Sequence, residues 1–217
     1  MTYKKSKETY NLILDVTTEL FFTKGFKDTK IREICRQANI NHSLIYYYFP
    51  NGKYDIAYKL ITDHEKKCSQ ALRKHFKTTD YILYTLVWLR FLAREMLQNE
   101  IDMICYVEAW SFLRPYRNLF IENFTAAKQI FLDVDAHTVQ IATIMGDSVW
   151  SGLYQSKFEG KMAISHKEIR DATDIARWTY MGLSLEKIKS FIEEAEKILD
   201  TIPLQNTHLL ISKNENM

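Results

Sequence analysis

Apolar side chains recur every three to four positions along most of this 217-residue chain, a spacing that predicts helices separated by short polar breaks. A first helix is expected over 7–24, where Tyr10, Ile13, Leu14, Thr17, Leu20 and Phe21 share a face and Gly25 closes it as a C-terminal cap. Residues 1–8 ahead of it read as a polar arm carrying Lys4, Lys5 and Lys7. A long helix at 53–75 repeats Ile56, Leu60, Ile61, His64, Cys68, Leu72 and His75. By helix rise it would be a rod of roughly 33 Å. After the break at Lys77-Thr78-Thr79-Asp80, helices are expected over 81–98 and 101–113, and a third follows Pro115 to about 131. Residues 135–158 form the next, with Val139, Ala142, Met145, Gly146, Val149, Gly152 and Leu153 on one side. Small residues there permit close approach of another helix, the pattern of a dimer seam. Ser165 caps a helix running to 181, Gly182-Leu183-Ser184 breaks it, and 185–199 is periodic through Ile188, Phe191, Ile192, Ala195 and Ile198. Beyond Pro203 a polar tail is expected to be disordered.

The remaining stretch, 29–53 (TKIREICRQANINHSLIYYYFPNGK), reads as two short helices around a tight turn. Thr29 is expected to cap the first, which carries Ile31, Ile34 and Cys35. Asn41 caps the second, which carries Leu44, Ile45 and Tyr48. A chain that stops and restarts at a new angle needs a residue that tolerates positive φ, and Asn39 in Ala38-Asn39-Ile40 supplies it. This is the geometry of a helix-turn-helix, whose second helix enters a DNA major groove. Three consecutive tyrosines, Tyr46, Tyr47 and Tyr48, cannot all face a core when successive residues turn by about 100°. At least one phenol therefore faces out beside His42 and Ser43.

Residues 10–56 resemble the N-terminal domain of TetR-family transcriptional regulators. The matching residues are Ile13-Leu14, Leu20-Phe21, Gly25-Phe26, Thr29, Ile31, Ile34, Asn41, Ile45-Tyr46-Tyr47-Tyr48-Phe49 and Lys53. The chain departs from the family pattern in Cys35 where Ala is usual, Asn39 for the turn glycine, Asn41 for the capping Ser, and one extra residue in Pro50-Asn51-Gly52. The resemblance implies an all-α protein, with a three-helix bundle joined by a long helix to a larger helical effector-binding and dimerisation domain. The boundaries expected are 5–65 for the DNA-binding domain (helix-turn-helix at about 30–49), 66–203 for the effector domain and 204–217 for the tail. It also implies that His42, Ser43, Leu44, Tyr46, Tyr47 and Lys53 contact a double-stranded operator, with Thr29 and Lys30 on phosphate. Ile45 and Tyr48 are then structural. A homodimer is expected, because one short recognition helix reads too few base pairs for useful specificity. The seam would use 135–158 and the C-terminal helices.

Composition agrees with a globular helical chain: 47% of residues are hydrophobic, 26% are charged, and only 6 Gly and 3 Pro supply the breakers that strand-rich folds need. Cys35, Cys68 and Cys105 are odd in number and lack metal-ligand spacing, which argues against a disulfide framework or a zinc site. With no signal-peptide pattern and no apolar run of about 20 residues, a cytoplasmic protein without a membrane span is expected. Residues 1–60 hold 10 Lys and Arg against 6 Asp and Glu, so the positive excess lies with the helix-turn-helix.

Catalytic signatures are missing from the sequence: there is no Gly-rich phosphate loop, nucleophile motif or zinc-protease motif, so neither enzyme activity nor a cofactor is expected. Asp133, Asp135 and His137 lie close together but read as a capping and solvated cluster at a helix start rather than a metal site. The aromatic helices from 81 to 131 could line a site for a small lipophilic or aromatic effector. Trp88, Phe91, Tyr106 and Trp110 are the expected walls, and Arg94 or Glu108 the orienting polar groups. A repressor released by such a ligand is the leading expectation. A helical adaptor without a ligand and a helical enzyme with an apolar pocket are the alternatives.

Overall fold

The computed structural model describes residues 3–113 and 134–210. The helix expected after Pro115, with Tyr116, Phe120 and Phe124, lies outside the described residues, as do Arg114 and Asp133. Among those described, all regular structure is helical. In chain order the helices are α1 (Tyr3–Asp28), α2 (Ile31–Gln37), α3 (His42–Tyr48), α4 (Lys53–His75), α5 (Tyr81–Met96), α6 (Glu100–Leu113), α7 (Ala136–Phe158), α8 (His166–Tyr180) and α9 (Leu185–Thr201). No helix among them is long and apolar enough to cross a membrane.

Packing groups the described residues into two compact units. One holds the chain up to Lys67, Met96–Leu113 and the segment from Asn206; the other holds Cys68–Glu95 and the chain from 134 to Gln205. In the first unit, Ile13, Leu20, Ile34, Cys35, Ile45, Phe49 and Ile56 form a core drawn from α1, α2, α3 and the start of α4. Gly25, at φ 81 and ψ 166, breaks the helical path inside α1, where a helix end was expected. Helix α1 begins earlier than expected, because nothing in residues 3–8 breaks a helix and the Ser6 hydroxyl meets that of Tyr48 at 3.0 Å. The polar arm is therefore helical from Tyr3 onward.

The C-terminal residues also differ from expectation. Leu209 and Leu210 are buried rather than part of a free tail, and the Asp102 carboxylate accepts their backbone N–H groups at 2.9 and 3.0 Å. A polar composition hides this, since the anchors are two leucines and the main chain, which composition does not weigh. Residues 211–217 lie outside the described part.

In the second unit α7 packs along α8, and α8 against α9. Ser165 caps α8 with its hydroxyl on the Glu168 N–H, and Glu168 returns to the Ser165 N–H, a reciprocal pair that satisfies two amides at the helix start. Gly146 makes room for Arg177, whose Nε would lie 2.7 Å from a Cβ placed there. The interior is unusually charged. Arg90 on α5 is 1% exposed and donates to Asp171 at 2.8 Å and Asp174 at 2.7 Å on α8, and to Glu196 on α9. Arg177 adds a bond to Asp147 on α7 at 3.1 Å. Burial pushes the Asp174 carboxyl above the usual carboxylate range, against the pull of Arg90 and Arg177.

Without Arg90 the buried Asp174 keeps only Arg177, 4.0 Å away, whereas the partly exposed Asp171 and Glu196 retain Lys167 and Arg170. Arg90→Leu is expected to lower unfolding stability by about 3–5 kcal/mol in urea titrations at neutral pH. Asp174, whose pKa is already raised by burial, then takes a proton more readily, so the deficit relative to the parent narrows as pH falls below neutrality. A loss that is absent, or that widens on acidification, would argue against this role for Arg90.

Candidate nucleic-acid interface

Helix α3 is only seven residues long, too short to be stable in isolation, and its orientation comes from its neighbours. Asn39 at φ 50 turns the chain out of α2, and the Ile40 N–H returns to the Cys35 carbonyl at 3.0 Å. Asn41 then caps α3, its side-chain oxygen accepting from the Leu44 N–H at 2.9 Å. Both asparagines act as the sequence predicted. Ile45, fully buried, faces the core, and Tyr48 leans inward with its ring edge-on to Tyr10.

With Ile45 inward, the opposite face of α3 carries His42, Ser43, Tyr46 and Tyr47, all exposed, with Tyr47 74% accessible. Leu44 is half-buried at the rim. The four exposed residues fall at i, i+1, i+4 and i+5, one strip along a helix. They offer an imidazole, a hydroxyl and two phenols, groups that hydrogen-bond base edges and phosphate oxygens. Exposed Lys30, Arg32 and Arg36 on and before α2 add positive charge. The two arginines were not among the expected contacts, although their i, i+4 spacing opposite the buried Ile34 and Cys35 was a readable signal.

Two expected phosphate or base contacts have internal work instead. Thr29 is fully buried and donates its hydroxyl to the Gly25 carbonyl at 2.8 Å. It does not cap α2: Lys30 occupies that position, and the Glu33 carboxylate accepts the Lys30 N–H at 3.1 Å. Thr29 sits one residue too early, where closing the break at Gly25 uses its hydroxyl. Lys53 likewise points into the protein. Its ammonium donates to the carbonyls of Phe26 at 2.7 Å, Lys27 at 3.1 Å and Thr29 at 3.0 Å, and lies 4.5 Å over the Phe26 ring. Burial, then the charge of Lys30, lowers its pKa. One lysine thus satisfies the carbonyls at the end of α1.

The expected effector residues fall in different units. Tyr106, Glu108 and Trp110 on α6 belong with the helix-turn-helix. Tyr106 stacks on Trp110 at 5.2 Å and donates its hydroxyl to Glu65 at 2.7 Å, while the Glu108 carboxylate accepts the Lys27 N–H at 3.0 Å. Trp88, Phe91 and Arg94 belong to the second unit. Trp88 and Phe91 are buried, and Arg94 donates to the Leu199 and Ile202 carbonyls at 2.7 and 2.9 Å. Asp135 caps α7 through the Thr138 N–H at 2.7 Å. Among the described residues no group of three His, Cys, Asp or Glu side chains is placed to hold a metal ion.

Comparison with known proteins agrees with the geometry of the first unit. Residues 13–57, from α1 into the start of α4, match the family model described as bacterial regulatory proteins, tetR family. No curated protein sequence matches the chain. Among solved structures, Salmonella enterica GusR aligns with 15% identity and a TM-score of 0.39, over 90% of this chain and 95% of that one.

The contrast between Lys53 and Tyr47 is measurable without any DNA. Lys53→Met, which strands three carbonyls, is expected to lower stability by about 1–3 kcal/mol in denaturant titrations. Tyr47→Ala should stay within about 0.5 kcal/mol of the parent. Equal stability of the Lys53 variant and the parent would mean that the ammonium does not hold this turn.

Proposed function

Since its N-terminal domain is a TetR-family DNA-binding domain, we propose that this chain is a cytoplasmic, sequence-specific transcriptional repressor that grips its operator as a homodimer. The observation that carries the DNA-contact reading is the outward strip of His42, Ser43, Tyr46 and Tyr47, held up by the buried Ile45. His42 and Ser43 at the start of α3 are the base readers, since a recognition helix presents its N-terminal residues to base edges. Tyr46 and Tyr47 flank them, and Lys30 meets phosphate. Thr29 and Lys53 contribute by shaping the turn that delivers α2 and α3.

Dimerisation is supported by the exposed apolar side chains of the second unit. Ile144 and Met145 on α7 are 47% and 38% exposed, and Tyr180 on α8 is 43% exposed. Met145 also borders a shallow depression of about 540 Å³ with Ile175, Ala176, Thr179 and Tyr180. At Gly152 an added Cβ would meet nothing within 4 Å, so the outer side of α7 stays flat there. A second copy of the same face is the occupant that operator symmetry favours. For the effector, Trp88 and Phe91 remain the expected walls of a site for a small lipophilic or aromatic ligand. A ligand using Arg94, Tyr106 or Glu108 would first have to displace the partners these groups already have.

DNA selected from a random pool by the full-length protein provides an operator for testing. His42→Ala and Ser43→Ala are expected to change base preference at defined positions, each by about 1–3 kcal/mol of discrimination. Lys30→Ala should weaken binding to all sequences alike and lower the salt slope by about one. Unchanged selection in both α3 variants would remove the assignment. Ile144→Glu combined with Tyr180→Glu should shift the sedimenting species from dimer to monomer and lose cooperative operator binding. A monomeric parent at micromolar concentration would end the dimer reading.

A further inference from the structure

The end of α9 and the chain after it are fastened by a succession of polar groups, the partly exposed Arg94 and the buried Glu95, His64 and Asp102, that neither DNA contact nor dimerisation uses. In the second unit, Arg94 holds the carbonyls of Leu199 and Ile202, and the fully buried Glu95 carboxylate accepts the Gln205 N–H at 3.1 and 3.2 Å. Between Gln205 and Asn206 the chain passes into the first unit, and Asn206 takes a left-handed conformation at φ 52 that redirects it. In the first unit a ring nitrogen of His64 on α4 lies 3.0 Å from the Thr207 carbonyl. Asp102 on α6, fully buried, accepts the N–H groups of both Leu209 and Leu210, and His208 Nδ1 lies 3.7 Å from the same carboxylate. Leu210 is 0% exposed.

We propose that residues 206–210 form a docking strap that completes the DNA-binding unit by joining His64 on α4 to Asp102 on α6, and that its release lowers DNA affinity. A buried carboxylate needs hydrogen-bond donors, and Asp102 draws two of them from the strap's main chain. Burial nevertheless pushes its pKa up to about 6, so the strap amides only partly offset the cost of the charge. Helix α6 is also the element that reaches the end of α1, through Glu108 on the Lys27 N–H and through Phe112, whose ring lies 5.9 Å from that of Phe26 and 5.2 Å from that of Tyr54. A strap that fixes α6 therefore fixes the segment leading into α2.

The test is a chain ending at Gln205, compared with the full chain carrying Leu210→Ser, with amide hydrogen exchange as the first readout. Both variants are expected to exchange about tenfold or more faster in α6 and in the part of α4 around His64, with α7 and α8 unchanged. A synthetic peptide of residues 204–217 should restore protection to the truncated chain, and the same peptide carrying Leu210→Ser should not. The second readout, affinity for DNA selected by the full chain, rests on the function proposed above and is expected to fall about tenfold and recover with the peptide. Unaltered exchange in both variants overturns the strap, as does a loss that the parent peptide leaves unrestored. Normal exchange behaviour and rescue in a protein that selects no DNA would leave the strap standing and remove the DNA-binding reading instead.

Discussion

The burial of one isoleucine governs how this protein presents its surface. Ile45 is fully enclosed by the cluster of Ile13, Leu20, Ile34, Phe49 and Ile56, a burial worth about 2–3 kcal/mol. A seven-residue helix has little else to hold it. Because Ile45 sets the inward side of α3, with Tyr48 leaning in beside it, the positions within one turn on the other side face outward, and these are His42, Ser43, Tyr46 and Tyr47. Loss of the anchor would scramble the whole strip at once, whereas loss of one exposed phenol would leave the helix where it is.

Around this core the chain solves a recurring problem with charged side chains, of which Glu95 and Asp102 are fully buried and Lys53, Arg94 and Glu108 partly so. Carbonyls or amides left over at the ends of α1 and α9 and in the segment after α9 are met by charged groups from far along the sequence. Lys53 serves the end of α1, Arg94 the end of α9, Glu108 the Lys27 amide, and Glu95 and Asp102 the segment after α9. Charged donors and acceptors make stronger bonds than neutral ones, and those of the fully buried Glu95 and Asp102 are the costliest to break, since the charge would remain enclosed. Each is a rigid fastening between elements distant in sequence. The Arg90 cluster does the same inside the second unit, tying α5 to α8 and α9. Such fastenings hold α6 and the segment from Asn206 in the helix-turn-helix unit, although residues of the second unit flank α6 on both sides in sequence.

The sequence by itself determined what depends on neighbours within a turn or two. Apolar periodicity marks the helices, and α4 runs from Lys53 to His75 as the pattern predicts. The turn at Asn39 and the caps at Asn41 and Ser165 are equally local, because side-chain reach and φ tolerance involve only a few residues. The outward strip of α3 follows from the same periodicity, once three consecutive tyrosines are seen to exceed what one face can bury. What only the tertiary structure decided is which polar side chains are free. Lys53, Arg94, Tyr106 and Glu108 each read as a ligand or DNA contact on a helix face, and each proved to be bonded within the fold. The partner of Lys53 lies 27 residues away, that of Arg94 105 and that of Glu108 81. Leu209 and Leu210 sit in a stretch too short and too polar to show a period, and their place is set by Asp102, 107 residues earlier. A charge on a helix face looks the same in sequence whether it meets water or a stranded carbonyl, because that carbonyl belongs to backbone brought in by the fold.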